Sequence, residues 1–359
     1  MGSDFNPVAR WWGRRLVWAW ALACSGAWAA DAPGPQRLRI VGGLAGLNQY
    51  THNEEPFWSQ ELSRLSQGRY TAEIAPFDRA GVPGSEMLRL LQLGVVPFGT
   101  ALLSNISVQY PEYAAPDLAG LNPDMATLRK TVNAFRPYLE KSLRERVGVQ
   151  VLAIYVYPAQ VVFCKKPMVS LSDLKGRRIR VSSATQSDFI AALGATPVLV
   201  SFAQLVPNLA SGNTECAITG TMSGNNLKLY EVTSHVHTLP ISWGLSVFGA
   251  NLAAWNALPG DLRALLSREL PKLENAIWTE SEKETAQGLI CNRGSPECTG
   301  GTKGKMTEVN TTGDDERLRK SLFQSQVLPR WLQRCNGQCE TLWNQTIGPT
   351  QQLMAPSTK

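Results

Sequence analysis

Residues 173–258 read DLKGRRIRVSSATQSDFIAALGATPVLVSFAQLVPNLASGNTECAITGTMSGNNLKLYEVTSHVHTLPISWGLSVFGANLAAWNAL. A short β-rich run ends at Arg180. A helix-like segment closes on Leu193-Gly194-Ala195, and the strand-like Pro197-Val198-Leu199-Val200 follows. Phe202, a second helical segment and the strand Cys216-Ala217-Ile218-Thr219 come next. This is α/β wiring, with polar groups placed repeatedly at the C-terminal ends of strands. In open α/β sheets ligands bind at those ends, so the pattern points to a binding site before it points to catalysis.

The same alternation extends upstream. Residues 38–46 (LRIVGGLAG) read as a strand ending in glycines, 54–66 as a helix, 70–75 as a strand, 85–93 as a helix and 95–103 as a strand. A βαβαβ order of this kind implies a parallel sheet. Residues 122–145 read as a helix capped by Asp124 or Thr127 and interrupted at Pro137. The run VQVLAIYVYPAQVVFC (149–164) is long enough to leave one sheet and enter another, with Pro158 at the break. Trp243 to Asn251 reads as a strand returning to the first unit. Residues 259–287 form a long helical stretch containing Pro271, 291–313 a loop, and 318–332 a final helix. The tail from 346 to 359 reads as disordered.

The 359-residue length suggests two domains or lobes. The net charge of +6 is mild, and no basic run is interleaved with aromatics, so nucleic acid is not an expected partner. Residues 1–29 have the layout of a secretory signal: Arg10, Arg14 and Arg15, then the apolar LVWAWALA, then Ala27-Trp28-Ala29. The apolar stretch falls short of the about 20 residues a spanning helix needs. Cleavage near Ala29 competes with a lipid anchor at Cys24. Either route exports the chain, and a periplasmic location is expected.

Six cysteines follow the signal: Cys164, Cys216, Cys291, Cys298, Cys335 and Cys339. An even number in an exported chain suggests disulfides. The pairs 291/298 and 335/339 could each close a short loop, leaving Cys164 and Cys216 as a long-range pair, though other pairings stay open. The cysteines lack zinc-knuckle spacing. His235 and His237 read as a surface pair, so no metal is expected. Gly42-Gly43-x-x-Gly46 lacks the dinucleotide fingerprint and the P-loop lysine, so no cofactor is expected either. It reads as a cleft loop, with Asn48 and Gln49 as possible contacts. No serine sits in a nucleophile elbow.

Taken together, Asp173-Leu174-Lys175-Gly176, Arg178-Ile179-Arg180-Val181, Leu193-Gly194-Ala195-Thr196-Pro197, Phe202, Leu229-Tyr230-Glu231-Val232, Asn251 and Trp255-Asn256-Ala257-Leu258-Pro259 resemble the solute receptors of tripartite ATP-independent periplasmic (TRAP) transporters, DctP type. The resemblance implies an α/β solute-binding protein fold of two lobes with a ligand cleft between them. Two crossover strands and one long helix would span both lobes. Lobe I would comprise 36–157 and 244–275, and lobe II 158–243 and 276–345. The implied function is capture of a small organic acid and delivery to TRAP membrane permease subunits, by a monomer or weak dimer that is not an enzyme. A receptor serving a sensor kinase, an ATP-driven importer's binding protein and an exported α/β enzyme are the rival readings.

By resemblance, Arg180 matches the arginine that pairs with the ligand carboxylate, and a planar guanidinium can grip a carboxylate through two parallel hydrogen bonds. Gln160 stands where many relatives carry a second arginine, and Thr219 where many carry asparagine. Phe202 matches an aromatic that packs on the ligand. Tyr157, Ser183, Thr221, Asn225 and Trp243 are further candidates, each with an alternative role in packing or capping. One sure cation among these favours a monocarboxylate, or an acid with a neutral second end. That expectation depends on none of Arg39, Arg69, Arg79 and Arg89 facing the cleft.

Overall fold

The computed structural model describes residues 36–335 and 337–355; the expected signal and Cys24 lie outside them. Eleven strands form two sheets: β1 (Gln36–Gly42), β2 (Tyr70–Pro76), β3 (Phe98–Leu102), β4 (Val149–Val156), β5 (Gln160–Cys164), β6 (Arg178–Val181), β7 (Thr196–Leu199), β8 (Cys216–Gly220), β9 (His235–His237), β10 (Leu245–Asn251) and β11 (Thr307–Val309). The first sheet runs β2-β1-β3-β10-β4 and the second β11-β9-β5-β8-β6-β7. β2, β1 and β3 are parallel, as the βαβαβ order requires, and β10 returns antiparallel between β3 and β4.

The chain passes between the sheets by two short crossovers, residues 157–159 and 238–244, and a third time between β10 and β11. The two short crossovers lie side by side, with Tyr157 N donating to Gly244 O (3.0 Å) and Gln160 N to Ser242 O (2.8 Å). The first break falls at Pro158, which cannot donate to a ladder.

Helix α1 (Met125–Ser142) buries Met125, Leu128, Val132, Phe135 and Leu139, a stripe of helical period. Asp124 caps it by accepting from Thr127 N (2.7 Å). Helix α2 (Ala184–Ala192) follows β6, and the 33-residue helix α3 (Gly260–Asn292) follows β10. Pro137 and Pro271 do not end their helices. Both are exposed, so the carbonyls they leave unpaired can turn to water.

α3 braces the first crossover along its length. Trp278 Nε1 and Ser281 Oγ donate to the carbonyls of Ile154 and Val156 (both 2.8 Å), and Ala159 N donates to Thr285 Oγ1 (3.0 Å). Further along, Thr221 Oγ1 donates to Glu284 O (3.1 Å). Gly288 makes that approach possible: a Cβ there would sit 2.3 Å from Met222 N.

Among the described residues three disulfides are present: Cys164–Cys216, Cys291–Cys298 and Cys335–Cys339. The first joins directly opposed residues of β5 and β8. Several expectations fail besides the interruption at Pro137. The stretch 291–313 read as loop contains β11. The tail after Gln345 is not wholly disordered, because α4 (Ile347–Gln351) buries Ile347 and Gln351 Nε2 donates to Thr131 Oγ1 of α1 (2.8 Å). His237 is not on the surface. It is fully buried, with Nε2 3.5 Å from Asp315 Oδ2, and burial lowers its pKa.

Candidate functional site

Arg180, next to last in β6, has 2% of its surface exposed. Its Nε donates to Val200 O (3.2 Å) and its Nη1 to Ile218 O (2.8 Å). Among the described residues no carboxylate lies within ion-pair distance of it. Burial alone pulls its pKa from 12.5 to about 10. Neutral carbonyls orient this cation without compensating its charge, which leaves an unmet electrostatic demand.

The guanidinium borders a cavity of about 710 Å³. β5, β6 and β8 of the second sheet supply Gln160, Arg180 and Thr219, and the crossovers supply Tyr157 and Gly244. The loop after β7 supplies Phe202. The first sheet's loops supply Leu44 to Leu47, Phe77 to Arg79 and Asn105. The cavity therefore opens where the two sheets' loops face each other.

Gln160 is held in one orientation. Its Oε1 accepts from Gln186 Nε2 (2.7 Å) and its Nε2 donates to Trp243 O (3.3 Å). Gln186 also donates to Ser242 Oγ (2.7 Å) and accepts from Ser182 N (2.8 Å). Gly244 is needed at this point. Its φ is +82°, and a Cβ would fall 2.5 Å from Gln160 Nε2.

Arg180, Gln160, Thr219, Phe202 and Tyr157 thus converge on the cavity; the other candidates do not line it. Trp243 is buried, with Nε1 donating to Asn122 O (3.0 Å). Thr221 is turned to α3, and Asn225 Nδ2 donates to Asn292 Oδ1 (3.1 Å) and Thr302 O (2.8 Å). Ser183 caps α2 by accepting from Gln186 N (3.2 Å). Asn48 and Gln49 also turn away: Asn48 pairs with Glu284, and Gln49 donates to Glu54 (2.9 Å).

Arg79 lines the cavity, so the expectation of a single cation fails. Arg69 and Arg89 are engaged by Asp261 and Glu86. Arg79 is exposed and stands beside Asp78, so solvent and a neighbouring anion weaken its field relative to that of Arg180. Sequence reasoning did not single out Ser182, Gln186, Asp78 or Asp117. Ser182 alone had a signal, since it lies two residues past Arg180 and shares its face of the strand direction.

Two acids frame the site, Glu54 buried and Asp117 partly buried. Glu54 accepts from Gly43 N (3.2 Å to each oxygen) and Thr100 Oγ1 (2.8 Å), beneath the cavity loop. Burial raises its pKa from 4.5 to about 7. Asp117 accepts from Trp243 N (2.9 Å) and Gly244 N (2.8 Å) at the second crossover, and burial raises it from 3.8 to about 7.

Residues 41–293 match the family described as bacterial extracellular solute-binding protein, family 7 (DctP). A solute-binding protein of Roseobacter denitrificans is 23% identical over 195 residues, 54% of this chain and 59% of that relative. Among solved structures, DctP7 of Bordetella pertussis, an extracytoplasmic solute receptor binding pyroglutamic acid, superposes with a TM-score of 0.75 at 21% identity. The match covers 84% of this chain and 97% of that one. A TRAP periplasmic solute-binding protein of Desulfovibrio salexigens with bound orotic acid gives 0.76 at 18% identity, covering 88% and 97%. These structures share the two-lobed fold.

Proposed function

The chain belongs to bacterial extracellular solute-binding protein family 7 (DctP), and from that premise we propose that it is an exported receptor for a small organic acid. It captures the acid in the cleft and delivers it to a TRAP membrane permease. The observation that carries the reading is Arg180, a buried cation on a 710 Å³ cavity with no carboxylate beside it. A ligand carboxylate meets the free edge of the guanidinium, and Gln160 and Thr219 contribute neutral hydrogen bonds. Phe202 and Tyr157 cover the apolar part. Arg79, which also lines the cavity, offers a weaker second cation, so a second carboxylate is not left without a partner.

Lobe I (36–157 and 244–275) and lobe II (158–243 and 276–345) act as the two bodies that close on the acid, bending at the paired crossovers. The reading assigns no chemical step to the cavity. That relatives hold pyroglutamic acid and orotic acid supports the carboxylate class without naming this chain's ligand. The test is a thermal-shift screen of the mature protein against organic acids. A ligand that binds only the folded state adds about 2.7 kcal/mol at one hundred times its Kd. Sugars or cations raising the melting point while every acid fails would overturn the proposal.

A further inference from the structure

Behind Gln160 lies a second, smaller pocket of about 40 Å³. It shares Gln160, Ser182, Ser104, Gly244 and Leu245 with the main cavity, so the two adjoin along one wall. Its far side is lined by Asp117, Ser107, Ser183 and Gln186. The volume suits one or two non-hydrogen atoms; a water occupies about 30 Å³ of liquid. Ser182, two residues past Arg180 in the chain, lines both spaces, while Arg180 lines only the larger one. A 2-position substituent on an acid seated at Arg180 would reach the small pocket across this shared wall.

The hydrogen-bond inventory at the pocket is asymmetric. Asp117 is an acceptor group with no cation paired to it among the described residues. Each of its oxygens takes one backbone N–H, leaving further lone pairs. Gln186 spends its amide N–H groups on Gln160 Oε1 and Ser242 Oγ, and its Oε1 on Ser182. Beyond those two backbone N–H groups, no side-chain donor reaches Asp117 among the described residues. Burial has already pushed that carboxyl up to about 7, consistent with an anion short of compensating partners.

We propose that this side pocket is a specificity site that receives a hydrogen-bond-donating group, a hydroxyl or an ammonium, on the 2-position carbon of the ligand acid, with Asp117 as the acceptor. The assignment rests on the receptor reading above. It separates acids that reading leaves equivalent. A 2-hydroxy or 2-amino acid satisfies Asp117. A 2-oxo acid points a lone pair at a carboxylate, and an unsubstituted acid leaves Asp117 as it is. Sites built around a hydrogen bond discriminate strongly against analogues that lack it.

The experiment is calorimetric titration of the full mature protein with matched sets: lactate, alanine, pyruvate and propionate; mandelate, phenylglycine, phenylglyoxylate and phenylacetate; malate, aspartate, oxaloacetate and succinate. In any set that binds, a donor-bearing member is expected to bind at least tenfold tighter than both the oxo and the unsubstituted members. Asp117→Asn keeps one acceptor oxygen and should shrink that ratio. Asp117 also holds the second crossover, so Ala114→Val, which adds bulk at another lining residue of the pocket and leaves the Asp117 carboxylate in place, provides an independent arm. It should bring the donor-bearing acid down to the level of the unsubstituted acid while leaving the latter within about threefold. Equal binding of donor-bearing and unsubstituted acids by the wild type, or a ratio unchanged in Ala114→Val, overturns the assignment and leaves the receptor reading standing. Failure of every acid, in these sets and in the wider screen, removes the receptor reading itself.

Discussion

Replacing Arg180 with methionine should separate binding from stability. In the free protein the substitution removes two hydrogen bonds from a charged donor, to Val200 O and Ile218 O. Bonds of this kind contribute roughly 1.5–3 kcal/mol each. The same substitution relieves the burial of an uncompensated cation, a penalty of several kcal/mol. The two effects oppose each other and should cancel to within roughly 2 kcal/mol, with methionine filling most of the volume. Binding has no such offset. The ligand carboxylate would be desolvated against Val200 O and Ile218 O with no cation present, costing about 2–5 kcal/mol, or about 30- to 4,000-fold in Kd. Calorimetry with the tightest acid from the screen reads the affinity, and urea unfolding of the ligand-free protein reads the stability. Arg180→Lys should also bind poorly, because a point charge does not reproduce the planar fork. Affinity within threefold of wild type in a folded Arg180→Met protein would refute the reasoning. So would an affinity loss that merely tracks a large loss of stability.

Gly244→Ala should displace the Gln160 amide, since its Cβ would lie 2.5 Å from Nε2 at a φ of +82°. Binding should weaken at least about tenfold, with a stability loss of about 1–3 kcal/mol; unchanged affinity would show that Gln160 does not touch the ligand. Glu54 is raised from 4.5 to about 7 by burial. The folded state therefore holds a proton that the unfolded chain has released, and stability falls as pH rises through that window. Glu54→Gln should flatten this fall by at most about 1.4 kcal/mol per pH unit between pH 5 and 7, and urea midpoints across that range check it. Reducing or deleting the Cys164–Cys216 bridge should cost about 2–5 kcal/mol of stability, and mass spectrometry of unreduced mature protein should find no free thiol among its six cysteines.

How much of this was legible in the sequence varies by element. The strand–helix alternation carried most of both sheets, although β11 lies in a stretch read as loop, and the break at Pro158 marked the first crossover. Arg180 was readable because its position in the motif run and its chemistry agreed. Trp243, Thr221 and Asn225 were read as cleft residues from their proximity in sequence to strand ends. Which way such a side chain turns depends on partners far along the chain: Asn122 for Trp243, Glu284 for Thr221, Asn292 for Asn225. Pro137 looked like a helix break, yet it sits on a solvent face where an unpaired carbonyl is cheap to leave. Asp117 and Gln186 belong to no motif. They matter because the fold brings residues 117, 160, 186 and 242 to one place, and no local pattern encodes that meeting. Arg79 was noticed in the sequence, but its facing was not readable.

The central claim is that a ligand carboxylate sits on Arg180. A crystal structure of the mature protein with the tightest-binding acid from the screen tests it most directly. The account predicts density for the acid in the 710 Å³ cavity, with a carboxylate oxygen within hydrogen-bond distance of the Arg180 guanidinium. An acid bound elsewhere, or bound in that cavity with Arg180 facing only Val200 O and Ile218 O, would contradict it.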